Sequence, residues 1–77
     1  MTKSAEGVRK ETLESNIAII DNKIEGRVHY GKLSIKVDEI PISLSDEIVS
    51  HYQEQGYKVT IQKTTETDRV LEVSWDI

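Results

Sequence analysis

The sequence contains no cysteine, and its 77 residues include only one proline and two histidines. Without cysteine the chain cannot form a disulfide, and His29 and His51 have no thiolate that could complete a zinc site with them. We therefore expect neither a disulfide framework nor a bound metal, and we predict no cofactor. A chain this short buries only about 60–65% of its unfolded surface, so oligomerisation is the remaining source of added stability.

The sequence also lacks a long apolar run and a strong excess of either charge. Its longest apolar stretch, residues 17–20, is far shorter than the roughly 20 residues that span a bilayer, and its first residues do not resemble a signal peptide. Fourteen acidic and ten basic residues give a net charge of −4, which argues against binding to the nucleic-acid backbone. We expect a cytoplasmic protein that binds neither membranes nor nucleic acid.

The first third of the chain predicts one long helix over residues 4–25. Ser4 can serve as its N-cap and Gly26 as its C-terminal stop, and no proline lies between them. Apolar residues recur on one face at intervals of four, three and four residues, which indicates the face that packs on the core. This apolar stripe consists of Leu13, Ile17, Ile20 and Ile24.

A second face of the same helix carries small or uncharged residues at similar intervals: Ala5, Val8, Thr12, Ser15 and Ile19. Small side chains allow two helices to approach closely, and the first turns have no apolar stripe facing their own domain. We therefore predict a homo-oligomer interface, carried by Ala5, Val8, Thr12 and Ile19. The alternative is a solvated face with two isolated apolar residues.

Residues 31–77 predict a β-α-β-β unit, which completes a single domain over residues 1–77. The first strand begins at Gly31 and includes Leu33; residues 38–43 form a connection, and Ser43 or Ser45 caps a helix that ends at Gly56. Two alternating segments then predict a hairpin centred on residues 65–68.

The predicted fold class is α+β, with both helices packed on one face of a three-stranded, mainly antiparallel sheet. A right-handed crossover between the first two strands leaves the last strand in the centre of the sheet. We expect Trp75, on that strand, to be buried against the helices. Its replacement by alanine would then cost about 3–5 kcal/mol of folding free energy.

Residues 26–32 match the beginning of a phosphate-binding loop, but two features exclude that motif. Leu33 stands where a metal-binding hydroxyl is needed, and the loop would have to follow a strand and begin a helix. The stretch still combines cations with an aromatic ring, a mixture suited to binding an anion; the alternative is an ordinary polar corner. The predicted ligand-binding residues are Arg9, Arg27, His29, Tyr30 and Lys32. No catalytic residue is predicted, and we expect a protein that is not an enzyme.

Short motifs resemble a group of small proteins encoded by tailed bacteriophages. Residues 55–59, Gln-Gly-Tyr-Lys-Val, follow the short helix, and residues 71–75, Leu-Glu-Val-Ser-Trp, are similar to the group's final strand. In the first helix the spacing of Ala5, Arg9 and Thr12 is similar as well. Two departures are Val73, where isoleucine is usual, and Tyr52, where leucine is common.

The resemblance implies an infected bacterium as the setting, without a settled biochemical activity. We expect a phage accessory protein that is homo-oligomeric through its N-terminal helix and binds a host protein as an inhibitor or adaptor. The alternative is an oligomeric anti-defence sponge, which would sequester a small anionic ligand such as a nucleotide-derived signal. A minor virion component is a further alternative.

Overall fold

The structure is a computed structural model and describes residues 2–76; both ends of the predicted domain, residues 1 and 77, lie outside the described residues. Its elements are α1 (Ala5–His29), β1 (Ser34–Pro41), α2 (Ile42–Glu54), β2 (Lys58–Thr64) and β3 (Asp68–Ser74). The strands form one antiparallel sheet in the order β1-β3-β2. The predicted α+β fold and the central position of β3 are confirmed. Within residues 2–76 no helix is both long and apolar enough to cross a membrane.

Helix α1 begins at its predicted cap and ends later than predicted. Ser4 Oγ accepts a hydrogen bond from the Gly7 amide at 3.0 Å, which satisfies one of the free donors of the first turn. The predicted stop at Gly26 is wrong, because the helix continues to His29. Gly31 ends the helix instead, with a φ of 72°. In this conformation the Gly31 amide donates to the Val28 carbonyl and the Lys32 amide donates to the Arg27 carbonyl, both at 3.0 Å.

Strand β1 also runs farther than predicted. Residues 38–41 continue the strand through a bulge, where Glu39 takes a φ of 58° and the register with β3 shifts between Val37 and Ile40. The bulge turns Ile40 back into the core, where it is 2% exposed. Leu33 lies before the strand and is 52% exposed, so the prediction that the strand begins at Gly31 and includes Leu33 is wrong.

Helix α2 follows β1 directly, and no side-chain hydrogen bond caps it. The N-cap residue is Pro41, so the prediction of Ser43 or Ser45 as the cap is wrong. Ser45 is fully buried instead, and its Oγ accepts a hydrogen bond from Arg69 Nη1 at 3.1 Å. The helix ends at Glu54, and Gly56, with a φ of 92°, follows as the predicted C-terminal stop.

One apolar core lies between the sheet and the two helices. Alternating residues of β1 and β3 form one side of it, and the apolar stripe of α1 and one face of α2 form the other. Leu13 and Ile17 pack at its margin. The buried apolar side chains are Ile20, Ile24, Ile35, Val37, Ile40, Leu44, Ile48, Tyr52, Leu71 and Val73.

The hairpin between β2 and β3 turns where it was predicted to turn. The Thr65 amide donates to the Asp68 carbonyl at 2.8 Å, and the Asp68 amide donates to Thr65 Oγ1 at 3.0 Å. The prediction that Trp75 is buried is wrong: it follows the last residue of β3 and is half-buried at the margin of the core. Its ring meets Tyr57 edge-on, with 6.2 Å between the ring centroids.

Because Trp75 lies at the margin of the core, its replacement by alanine should cost about 2 kcal/mol of folding free energy, less than a buried ring would. Urea denaturation followed by circular dichroism measures this loss. A loss of about 4 kcal/mol or more would contradict the marginal position of the ring.

Helix α1 is longer than the body on which it packs. Its 25 residues span about 37 Å, and the molecule measures 45 × 26 × 20 Å. The radius of gyration of 13.2 Å exceeds the value of about 11.5 Å expected for a compact chain of this length. Since the apolar stripe reaches back only to Leu13, the first two turns of α1 extend beyond the core.

Candidate functional site

The predicted ligand-binding residues do not form one site within a single chain. Arg27 and His29 lie in the last turn of α1, and Tyr30 and Lys32 follow in the turn after it. Arg9 precedes Arg27 by eighteen residues, which is about 27 Å along the helix. The structure therefore brings four of the five residues to one end of α1 and leaves Arg9 near the other end.

Arg9 is engaged by α2. Its guanidinium donates to the Ser43 carbonyl at 2.9 Å and forms an ion pair with Glu47. The hydrogen bond from Arg9 holds the pKa of the Glu47 carboxyl below its ordinary value. Exposed ion pairs contribute little to stability, but this one attaches the projecting turns of α1 to α2.

The four residues at the other end of α1 point in different directions. Arg27 and His29 are two positions apart, so their side chains leave the helix about 160° apart. Tyr30 is the C-cap residue and its side chain is 81% exposed. The predicted cluster therefore divides, with Arg27, Tyr30 and Lys32 on the side of the sheet and His29 away from them.

Two open grooves adjoin where Arg27 crosses the beginning of β1. One runs between the turn after α1 and the sheet, and the other runs along the last turns of α1. Both are lined by Arg27, Ile35 and Lys36, so we treat them as one feature, the corner groove. Its polar and aromatic lining consists of Lys23, Arg27, Tyr30, Lys32, Lys36 and Glu72.

Two of these cations were missed in the sequence. Lys23 precedes Arg27 by four residues and thus shares its side of the helix, a signal that the sequence contains. Lys36 belongs to the polar face of β1, and its place beside α1 depends on how the strand passes the helix. No periodicity in the sequence could show that second position.

The second predicted face of α1 is exposed along its length. Val8 is 46% exposed and Ile19 is 55% exposed, while Thr12 satisfies its hydroxyl within the helix by donating to the Val8 carbonyl at 2.9 Å. The same spacing adds Asn22, and because α1 continues to His29 it also adds Gly26. We call the full set the outer face of α1: Ala5, Val8, Thr12, Ser15, Ile19, Asn22 and Gly26.

Beyond the first turn, where Glu6 follows Ala5, charged residues border the outer face on both sides, and each border has one sign. Arg9 and Lys23 each follow a residue of the outer face by one position, and Glu11 and Glu25 each precede one by one position. A step of one residue rotates the side chain by about 100°, so the two cations lie on one border and the two carboxylates on the other.

Tyr52 joins the two helices within the core. Its ring is 1% exposed, and its hydroxyl donates to Asp21 Oδ1 at 2.6 Å and approaches the Ile17 carbonyl at 3.1 Å. Burial, together with the hydrogen bond to the Asp21 carboxylate, raises the pKa of the Tyr52 hydroxyl well above its ordinary value. The fold thus favours the neutral phenol.

This pKa shift predicts a pH dependence of stability. The raised pKa of Tyr52 adds to the free energy of unfolding, and this contribution is fully present below the pKa of tyrosine in the unfolded chain, about 10. It is lost as the pH rises from there towards the pKa of Tyr52 in the folded chain. Tyr52→Phe should lose about 1–2 kcal/mol at neutral pH, and its stability should then fall less steeply than that of the wild type above about pH 10. Urea denaturation at several pH values measures both effects, with Tyr30→Phe, an exposed tyrosine, as the control. Parallel alkaline slopes for wild type and Tyr52→Phe would contradict the shift.

Comparisons of the chain with models of known protein families, with curated proteins and with solved structures found no significant match. The described residues, 2–76, contain no group of three or more His, Asp or Glu side chains placed to hold a metal ion. The outer face of α1 and the corner groove are the two candidate functional surfaces.

Proposed function

We propose that this chain is a non-enzymatic phage accessory protein, which self-associates through the outer face of α1 and binds a host protein as an inhibitor or adaptor. The phage setting is supported by the sequence resemblance. The observation that carries the self-association is the outer face itself, which is uncharged and exposed over about six helical turns. The chain as a whole is rich in charge, with 31% charged residues.

A second copy of the chain is the partner that best fits this face. The first two turns of α1 extend beyond the core, and isolated helical turns are marginal in water because nucleation is costly. Small residues such as Ala5 and Ser15 allow close approach of a second helix, while Val8 and Ile19 supply apolar area to bury. Pairing of two copies would stabilise the turns that lie beyond the core, which in a single chain are attached to α2 by the contacts of Arg9.

The charged borders favour a parallel pair of α1 helices. In a parallel pair, the acidic border of one helix lies beside the basic border of the other, whereas an antiparallel pair brings like borders together. Two copies would then be related by a two-fold axis along the helices, with their corner grooves at the same end. Surface charges of this kind set orientation more than affinity.

Self-association is tested by the mass of the protein in solution. We expect sedimentation equilibrium at micromolar concentration to give a mass of at least twice the 8.8 kDa of one chain. High salt should leave most of the assembly intact, because the proposed interface is uncharged. A mass near 8.8 kDa across this concentration range would overturn the proposed assembly.

The corner groove favours a second candidate, the oligomeric sponge that sequesters a nucleotide-derived signal. Cations and an exposed tyrosine are the groups such a ligand would need. The two candidates differ in what purifies with the protein from infected cells. A stoichiometric host protein supports the inhibitor or adaptor, whereas an excess of ultraviolet absorbance from nucleobases, released on denaturation, supports the sponge.

A further inference from the structure

The corner groove reverses the sign of the chain's charge. Four cations line it, Lys23, Arg27, Lys32 and Lys36, against one carboxylate, Glu72. The formal charge of the groove is therefore +3 in a chain whose total is −4, which leaves −7 for the remaining residues. In a chain of net negative charge, a cationic groove marks a place where an anion is attracted rather than repelled.

The cations of the groove have no ionic partners in the described part of the chain. There, the ion pairs join Lys3 to Glu11, Arg9 to Glu47 and Arg69 to Asp46. Lys36 and Glu72 are neighbours in the register of β1 and β3, yet no ion pair forms between them. Within one chain, the charge of the groove is thus available to a ligand without the loss of an existing ion pair.

The groove also has an exposed aromatic wall. Tyr30, which is 81% exposed, lines the part of the groove along α1, and Leu33, which is 52% exposed, lines the part beside the sheet. Gly26 leaves the helix surface open beside them, because nothing lies within 4 Å of the position that a Cβ would occupy. A flat ring at the edge of a cationic groove can stack on a planar group while the cations bind its phosphates.

We infer that the corner groove binds a phosphorylated ligand with a planar ring, a nucleoside phosphate in chemical class. Arg27, which lines both parts of the groove, contacts the phosphate through its planar donor fork, and Lys36 adds charge from the sheet side. Tyr30 stacks on the ring. This inference deepens the second candidate and rests on it for the source of the ligand; His29 and Arg9 have no part in it.

Titration by nuclear magnetic resonance tests the site, with inorganic pyrophosphate and adenosine 5′-diphosphate as the probes. We expect saturable shifts of backbone amides in residues 23–36 and at Glu72, with a Kd below about 1 mM at low salt. Arg27→Glu and Lys36→Glu should each weaken both probes at least about tenfold, as loss of a charge-assisted hydrogen bond requires. Tyr30→Ala should weaken the nucleotide and leave pyrophosphate unchanged.

Lys58→Glu is the matched control, because it makes the same charge change on β2, outside the groove. Equal weakening by Lys58→Glu, or shifts spread evenly over all lysines, would show a diffuse charge effect and overturn the site. Saturable shifts confined to residues other than 23–36 and Glu72 would overturn it as well. Specific binding of the probes in the groove, with no nucleotide in the purified protein, would support the groove as a binding site and contradict the sponge. A nucleotide that purifies with the protein but binds outside the groove would support the sponge and contradict the groove.

Discussion

Replacing Tyr52 with alanine should cost about 3–5 kcal/mol of folding free energy, the loss typical of a large aromatic ring removed from a core. The ring is 1% exposed and meets Tyr57 edge-on at 5.5 Å between centroids, and its hydroxyl reaches Asp21 on α1. The substitution therefore opens a cavity and removes the polar link between the two helices. The total stability of a domain of this size is about 4–12 kcal/mol, so a large part of it would be lost.

Thermal and urea denaturation of Tyr52→Ala measure this loss, and Tyr52→Phe separates its two causes. The phenylalanine variant keeps the packing and removes only the hydroxyl, so the difference between the two variants gives the contribution of the ring. We expect the ring to account for most of the loss. A loss below about 1 kcal/mol in Tyr52→Ala would contradict the burial of this side chain.

The sequence predicted the structure correctly wherever a local pattern is compatible with only one type of secondary structure. The apolar stripe of α1, the alternation in β2 and β3, and Gly56 after α2 each predicted their element, because period, capping and left-handed backbone are local properties. The central position of β3 followed from the handedness of one crossover. These features decide the fold class, which is why it could be predicted.

The errors arose where two local signals competed or where tertiary packing decided. Gly26 and Gly31 both offered an end to α1, and only Gly31 completes the pair of backbone hydrogen bonds that closes the helix. The bulge at Glu39 carried β1 past its predicted end, since it turns Ile40 back into the core. Burial of this kind depends on the partner strand, which the local pattern does not contain.

The candidate site was predictable in part for the same reason. Arg27, Tyr30 and Lys32 are close in sequence, so their cluster could be recognised without a structure. Lys36 joins it through the passage of β1 beside α1, and Glu72 joins it through the pairing of β3 with β1. Arg9 was assigned to the cluster from its charge, whereas its place in the fold is the ion pair with Glu47.

A charged residue on the outer face of α1 should dissociate the proposed assembly without unfolding the chain. Val8 and Ile19 are 46% and 55% exposed in the single chain, so Val8→Asp and Ile19→Asp bury no charge in the monomer. In a pair of helices either substitution places two carboxylates in an apolar interface, at a cost of several kcal/mol. Each variant should therefore sediment at about 8.8 kDa under conditions where the wild type is at least twice as heavy.

Ala18→Asp is the matched control for this prediction. It makes the same charge change one residue before Ile19, about 100° around the helix and therefore on the acidic border of the outer face. In a parallel pair this border lies beside the basic border of the other copy, so Ala18→Asp should retain the assembly. In an antiparallel pair the two acidic borders meet, and the new carboxylate would be repelled by Glu11 or Glu25 of the other copy. Circular dichroism of all three variants must show the helical content of the wild type. Folded Val8→Asp and Ile19→Asp proteins that keep the mass of the wild-type assembly would place the interface on another surface.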